Sequence, residues 1–357
     1  MKKDILSLSL SDLQDEIVAL GEQKFRARQI FDWLHVKRAV AFSEMSNLSE
    51  QLRQKLTKYF CIKRLNIQKK LVSEYDYTVK YLYGLDSDLS GDKIETVLMR
   101  YRQDGGRDFR HSICISTQAG CKMKCAFCAS GAYGFTRNLE PSEMLLQLYE
   151  TERDRRTDES EITDVGSLVL MGIGEPLDNF DNVVRFLNLL SDKNGRNMSL
   201  RHVSLSTCGL ADKIDRLAEL KLGLTLSVSL HAADDETRSR IMPVNNTFGI
   251  ERIMSSCRNY FEKTGRRISF EYALIGGLND SPKDADNLSN LIKPLGAHVN
   301  LIPINPSHTQ AYPKSRNTNA FYERLASSGI NVTVRRTLGA DINAACGQLR
   351  AAVGSTP

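Results

Sequence analysis

An α/β fold is what this 357-residue sequence predicts: a partial (β/α)6 TIM-like barrel with a small helical domain ahead of it. Three observations carry that expectation. From residue 111 onward, short apolar, β-branched runs alternate with amphipathic helical patterns, as in strands wound by helices. Before residue 74 the apolar residues recur at helical spacing. Polar, glycine-containing loops follow the strand-like runs, at the end of each unit where such barrels gather their chemistry. A doubly wound sheet is the alternative architecture.

Taken in order, Ser11-Asp-Leu-Gln14 resembles a capping box, followed by Leu13, Ile17 and Leu20 and a stop at Gly21. KFRARQIFDWLHVK predicts a second helix with Phe25, Ile30, Trp33 and Leu34 inward and Lys24, Arg26 and Arg28 outward. SEQLRQKLTKYF predicts a third. Segment 65–110 is strand-like at TVKYLYGL and KIETVLMRYR, separated by the polar turn DSDLSGD. Six further strands are expected at HSICIS, GSLVLMG, HVSLST, LTLSVSL, ISFEYALIGG and HVNLIPI. Helical patterns lie between them, around PSEMLLQLYETERD, NFDNVVRFLNLLS, ADKIDRLAEL, ERIMSSCRNYFEKTG and KDADNLSNLIKPL. A last strand, NVTVRR, leads into the tail LGADINAACGQLRAAV. The domain expectation is therefore a basic helical domain over 1–74, a β-containing extension over 75–110, a core over 111–340 and a tail over 341–357.

Hydrophobic content of 41% and charged content of 25% describe an ordinary globular protein. No run of about 18 apolar residues exists to span a membrane, and the polar start lacks the apolar core of a signal peptide, so the reading is cytoplasmic. Residues 1–74 hold fourteen Lys and Arg against nine Asp and Glu, which equals the whole chain's net charge of +5. A solvated helical surface would account for that bias, and so would a docking module for a polyanion such as RNA. The eight cysteines are scattered apart from one cluster, which fits reduced thiols and a metal site better than disulfides.

That cluster is CKMKCAFC, with Cys121, Cys125 and Cys128 spaced C-x3-C-x2-C directly after the first barrel strand. A four-iron, four-sulfide cubane has four corners, and three thiolates hold three of them, leaving one iron open to a small ligand. A zinc site completed by a distant fourth ligand is the alternative. MGIGEPLDN follows the second strand, where Gly172 and Gly174 would let the backbone approach a ligand and Glu175 offers a carboxylate to an ammonium group. For Cys61, Cys208 and Cys257 the expectation is a small buried core thiol.

The cysteine spacing, Phe127 before the last cysteine and the position after the first strand resemble the radical S-adenosylmethionine (SAM) superfamily. The resemblance implies one [4Fe–4S] cluster on the three cysteines, with SAM's amino and carboxylate groups on the open iron. It further implies SAM contacts at Gly174, Glu175, Ser206, Ser229, Leu230, His231 and Asn305. Cys114, seven residues before Cys121, and Cys346 in DINAACGQL narrow the match. With ETVLM, GFTRNL, RHVSLSTCG, IMPVNN, FEYALIGGLND and NLIPINP, they resemble the RlmN/Cfr family of radical SAM RNA methyltransferases. The matching blocks run from Glu95 to Arg350.

What that resemblance implies is methylation of adenine carbon 2 in 23S rRNA, with tRNA as a further substrate, using two SAM molecules per turnover. Cys346 would carry the methyl group, Cys114 would resolve a protein–RNA crosslink and Glu95 would accept the proton. A low-potential electron donor is implied as a partner, no membrane is, and nothing calls for more than a monomer. A Cfr-type carbon-8 enzyme shares all five functional cysteines. A non-catalytic RNA-binding protein with structural zinc is the reading from another class.

Overall fold

The computed structural model describes residues 2–85, 91–102, 109–132, 134–156, 165–304 and 312–349. Strand β1 (Lys3–Asp4) is followed by helices α1 (Leu10–Ala19), α2 (Phe25–His35) and α3 (Glu50–Tyr59), then by β2 (Phe60–Cys61), which pairs in parallel with β1. An antiparallel run follows: β3 (Leu65–Val72), β4 (Val79–Leu85), β5 (Lys93–Arg102) and β6 (Phe109–Cys114). The hairpin β7 (Gln118–Gly120) and β8 (Phe135–Asn138) encloses the cysteine loop and the short α4 (Ala129–Ala132), and α5 (Pro141–Arg156) then leads to β9 (Ser167–Leu170).

Beyond β9 come α6 (Phe180–Ser191), β10 (Val203–Thr207), α7 (Ala211–Glu219) and β11 (Thr225–Ser229). Two helices, α8 (Asp235–Ile241) and α9 (Ile250–Thr264), precede β12 (Ile268–Leu274). Then come α10 (Pro282–Ile292), β13 (His298–Pro303), α11 (Thr318–Ser327) and β14 (Asn331–Val334). Ten strands form one sheet in the order β14-β13-β12-β11-β10-β9-β6-β5-β4-β3. The parallel strands follow chain order without reversal, so there is no topological switch point and the doubly wound alternative is excluded. Strands β6 and β9 to β13 make the six-unit partial barrel. It is extended at one edge by the parallel β14 and at the other by the antiparallel β5, β4 and β3.

Side-chain alternation explains which face does what. In VSLST and TLSVS, Val203, Leu205, Leu226 and Val228 are buried in the main apolar core against the helices. Each such side chain contributes roughly 1.5–3 kcal/mol of burial. The intervening Ser204, Ser206, Ser227 and Ser229 therefore face the other way, and the Ser204 and Ser227 hydroxyls meet at 3.1 Å. Two smaller apolar clusters occupy that second face, one around Ile241, Ala273 and Ile302 and one around Val97, Cys114 and Ile173.

Two local expectations are corrected. The capping box of α1 is Ser9–Asp12: Ser9 Oγ accepts from Asp12 N at 3.2 Å while the Asp12 carboxylate accepts from Ser9 N. Extended backbone at Ser9 starts the helix before Ser11 can act. In α2, Phe25 is 56% exposed and lies under the Arg26 guanidinium; Ile30 and Leu34 turn inward as expected, with Ala27, Phe31 and His35, and Trp33 packs half-buried against the core. Among the described residues no helix is long and apolar enough to cross a membrane.

Candidate active site

The second face of the sheet carries two adjoining cavities. The larger, about 160 Å³, is lined by Cys121, Cys125 and Cys128 together with Glu175, Ser206, Ser229 and His231. The smaller, about 50 Å³, is lined by Cys114, Val97, Met99 and Tyr101. Cys346, Arg335, Met171, Ile302 and Leu349 belong to both. The cysteine loop thus shares one space with residues from five successive strands, β9 to β13.

The loop is held from several sides. Cys121 N donates to Gly134 O at 2.8 Å, and Ala126 N donates to Ile241 O at 2.9 Å. At its far end Ala129 N donates to Gly347 O at 2.9 Å and Ser130 Oγ to Leu349 O at 2.8 Å, which ties the tail beside Cys346 to the loop. Burial pushes the Cys121 thiol up to about 12 and raises Cys125 and Cys128 as well. Such thiols bind a positive metal centre with loss of their protons. Among the described residues no three His, Cys, Asp or Glu side chains close around a single ion-sized point. The donor set of three soft sulfurs opening on one cavity fits an iron–sulfur cluster with a free corner.

Glu175 is 4% exposed. Its carboxylate accepts from Cys208 N at 2.7 Å and Leu177 N at 3.0 Å, while its own N–H donates to Gln118 Oε1 at 2.9 Å. Burial raises its pKa against these donors. Glu175 lines the larger cavity, where a ligand cation can meet its carboxylate. The two glycines before it line the larger cavity and have a packing role besides. A Cβ on Gly172 would stand 2.6 Å from the Ile115 backbone, and one on Gly174, at φ +105, would stand 2.6 Å from Gln118 Cβ. They let the loop after β9 press against the loop after β6. Gly172→Ala is expected to destabilise the fold by about 1–3 kcal/mol, because the backbone it meets cannot rotate away. A thermal melt falling by several degrees checks it.

His231 adopts left-handed backbone, φ 57, and is 5% exposed. Its Nδ1 accepts from Ala273 N at 2.9 Å, so Nε2 carries the proton. Burial lowers its pKa to about 3, and the ring is neutral at working pH. Phe127 meets it edge-on at 4.8 Å. Leu230 lies apart: its side chain is in the main core, its N–H donates to Glu271 O and its carbonyl accepts from Arg238. Asn305 lies outside the described residues.

Glu95, 5% exposed, shares a sheet face with Val97 and Met99 but lines neither cavity. Its carboxylate is 3.3 Å from Lys80 Nζ. Cys114 is buried and Cys346 exposed, with no disulfide between them. Burial pushes Cys114 up to about 12, so its proton must leave as the sulfur reacts. Cys257 is a core thiol as expected, whereas Cys208 lines the larger cavity. Cys61 is only half-buried, its sulfur 3.7 Å from the carbonyls of Lys2 and Lys3.

Three charged residues of this site escaped sequence reasoning. The fully buried Arg238 donates to the carbonyls of Cys208, Ser229 and Leu230, stapling the ends of β10 and β11. Glu271 accepts from Asn300 Nδ2 at 2.8 Å and stands 3.7 Å from Arg335, which also reaches Met171 Sδ at 3.6 Å. A lone glutamate inside the apolar run ISFEYAL is a signal that could have exposed Glu271.

Comparison with known proteins follows the same lines. Residues 3–62 match the ribosomal RNA large subunit methyltransferase N-terminal domain, and residues 115–288 match the radical SAM superfamily. A probable dual-specificity RNA methyltransferase RlmN of Lachnoclostridium phytofermentans is 45% identical over 98% of this chain and 94% of its own. A relative of the same description from Lachnospira eligens is 46% identical over 97% and 95%. The crystal structure of a radical SAM methyltransferase from Sphaerobacter thermophilus superposes with a TM-score of 0.90 at 37% identity, covering 98% of this chain and 100% of that one.

Proposed function

Because the chain belongs to the RlmN family of radical SAM methyltransferases, we propose that it methylates carbon 2 of an adenosine in the peptidyl-transferase region of 23S rRNA. The adenosine just 3′ of certain tRNA anticodons is its second target, a reading supported by the dual-specificity description of its relatives. Pro176 after Gly174-Glu175 and the GFTRNL block favour carbon 2 over carbon 8. The basic helical segment at 1–74 holds folded RNA by phosphate and shape contacts while the target base is extruded. These substrates place its work in the cytoplasm.

The observation that carries the reading is Cys346 at the junction of the two cavities, with the cluster thiols lining one and Cys114 the other. Carbon 2 of adenine is electron-poor and does not attack a sulfonium methyl directly. When bound, a [4Fe–4S] cluster and SAM supply one-electron cleavage of the sulfonium to a hydrogen-abstracting radical. Cys121, Cys125 and Cys128 hold the cluster. Glu175 faces SAM's ammonium group, and Ser206, Ser229, His231 and Asn305 contact the rest of the molecule.

Cys346 would take a methyl group by displacement from one SAM and would present it, at the junction of the two cavities, for hydrogen abstraction supported by a second. The carbon would bond to carbon 2, Glu95 would take the proton from that carbon, and the electron spent in the cleavage would return to the iron–sulfur cluster. Cys114 would attack the Cys346 sulfur, breaking the sulfur–carbon bond; the released carbon takes up a proton, balancing the one Cys114 loses, to become the methyl group, and the disulfide left behind must be reduced before the next turnover. Nucleoside mass spectrometry of rRNA and tRNA from cells with and without the gene is the test. Loss of 2-methyladenosine from both is expected. Loss of 8-methyladenosine instead would reassign the carbon.

A further inference from the structure

We propose that Lys80 is a positioning residue that sets two reacting groups at once: the Glu95 carboxylate and the tail segment that carries Cys346. The inference rests on the roles of Glu95 and Cys346 given above.

Lys80 lies on β4 opposite Val97, and Glu95 on β5 opposite Leu82, so the two are diagonal neighbours on the face that also carries Cys114 and the smaller cavity. Lys80 Nζ stands 3.3 Å from Glu95 Oε1, and both side chains are nine-tenths buried or nearly so, at 10% and 7% exposure. The same ammonium donates to Asn343 O at 3.0 Å. Asn343 has left-handed backbone, φ 51, three residues before Cys346. The turn before Lys80 grips the start of this segment as well: Gly339 N donates to Asp76 Oδ2 at 2.8 Å, and Glu74 N donates to Asp341 Oδ2 at 3.0 Å.

A buried ammonium needs partners, and this one takes one from each group that the reaction must bring together. While carbon 2 is bonded to the Cys346 methyl carbon, its proton has to leave towards Glu95. Base and carrier must then keep a fixed separation, and a single cation bonded to both sets it. Other buried pairs, such as Arg38 with Glu152, join α5 to the segment after α2 and reach neither Glu95 nor the tail that carries Cys346.

The test compares Lys80→Met, Lys80→Arg, Glu95→Gln and the double variant Lys80→Met/Glu95→Gln, all as reconstituted holoenzymes. Three quantities are read: turnover on rRNA, methyl occupancy of Cys346 and the amount of covalent RNA adduct. Lys80→Met is expected to lower kcat about tenfold to a hundredfold with KM for RNA little changed, and to accumulate adduct as Glu95→Gln does. Lys80→Arg should recover part of the loss. The double variant removes both charges, which guards against misfolding from a lone buried carboxylate, and should be no worse than Glu95→Gln alone. Independent, multiplicative losses in the double variant, or wild-type kcat in Lys80→Met with Glu95→Gln impaired, would overturn the role of Lys80. Wild-type turnover in Glu95→Gln would instead remove the proton-acceptor reading, and this proposal with it.

Discussion

Cys346→Ala is expected to abolish RNA methylation, a loss of roughly a thousandfold or more, while the iron–sulfur cluster assembles normally. The cluster thiols sit in the loop 121–128, and the tail reaches that loop through the backbone carbonyls of Gly347 and Leu349, which an alanine at 346 leaves in place. Iron content and the visible spectrum should therefore match the unmodified protein. SAM cleavage to 5′-deoxyadenosine should persist, because Glu175 and the strand-end serines are untouched. What disappears is the sulfur that lines both cavities and that the proposed reaction uses to carry the methyl carbon. Normal methylation by the variant would refute the carrier role.

Cys114→Ala is expected to stop the reaction one step later and to trap RNA on the protein. Cys114 sits on β6 within the smaller cavity, and the charges of Cys346 and Arg335 both bear on its thiol. Its neighbours Val97 and Met99 are apolar, so an alanine fits with the loss of one small buried group, about 1–2 kcal/mol of stability. Without the attacking sulfur the carbon–sulfur bond to Cys346 persists. Denaturing electrophoresis after turnover with labelled rRNA should show a slow-migrating covalent species at the expense of free product. Its absence, with product formation lost, would count against the resolving role.

Much of this was legible in the chain because it is local. Alternation in VSLST and TLSVS marks strands, helical spacing marks α5 to α7 and α9, α10, and three cysteines in eight residues announce themselves. The short α8 was missed because seven residues carry too little period to read, and its Arg238 reaches its carbonyl partners only after folding. The pairing of Lys80 with Glu95 depends on the β4–β5 register, which neither strand reveals alone. Arg335 and Glu271 come from strands adjoining through β13 and meet across the sheet. The packing role of Gly172 and Gly174 was hidden for a similar reason: the atoms crowding them belong to Ile115 and Gln118, more than fifty positions away in sequence.

The anchorage of Gly347 and Leu349 on the helix that closes the cysteine loop makes the metal centre a structural member of the carrier's seat. Oxygen that dismantles the inorganic core would therefore strike twice, silencing the electron source and unmooring the sulfur that depends on it. An aerobically handled sample should lose ordered scaffolding around residue 346 before it loses its helices.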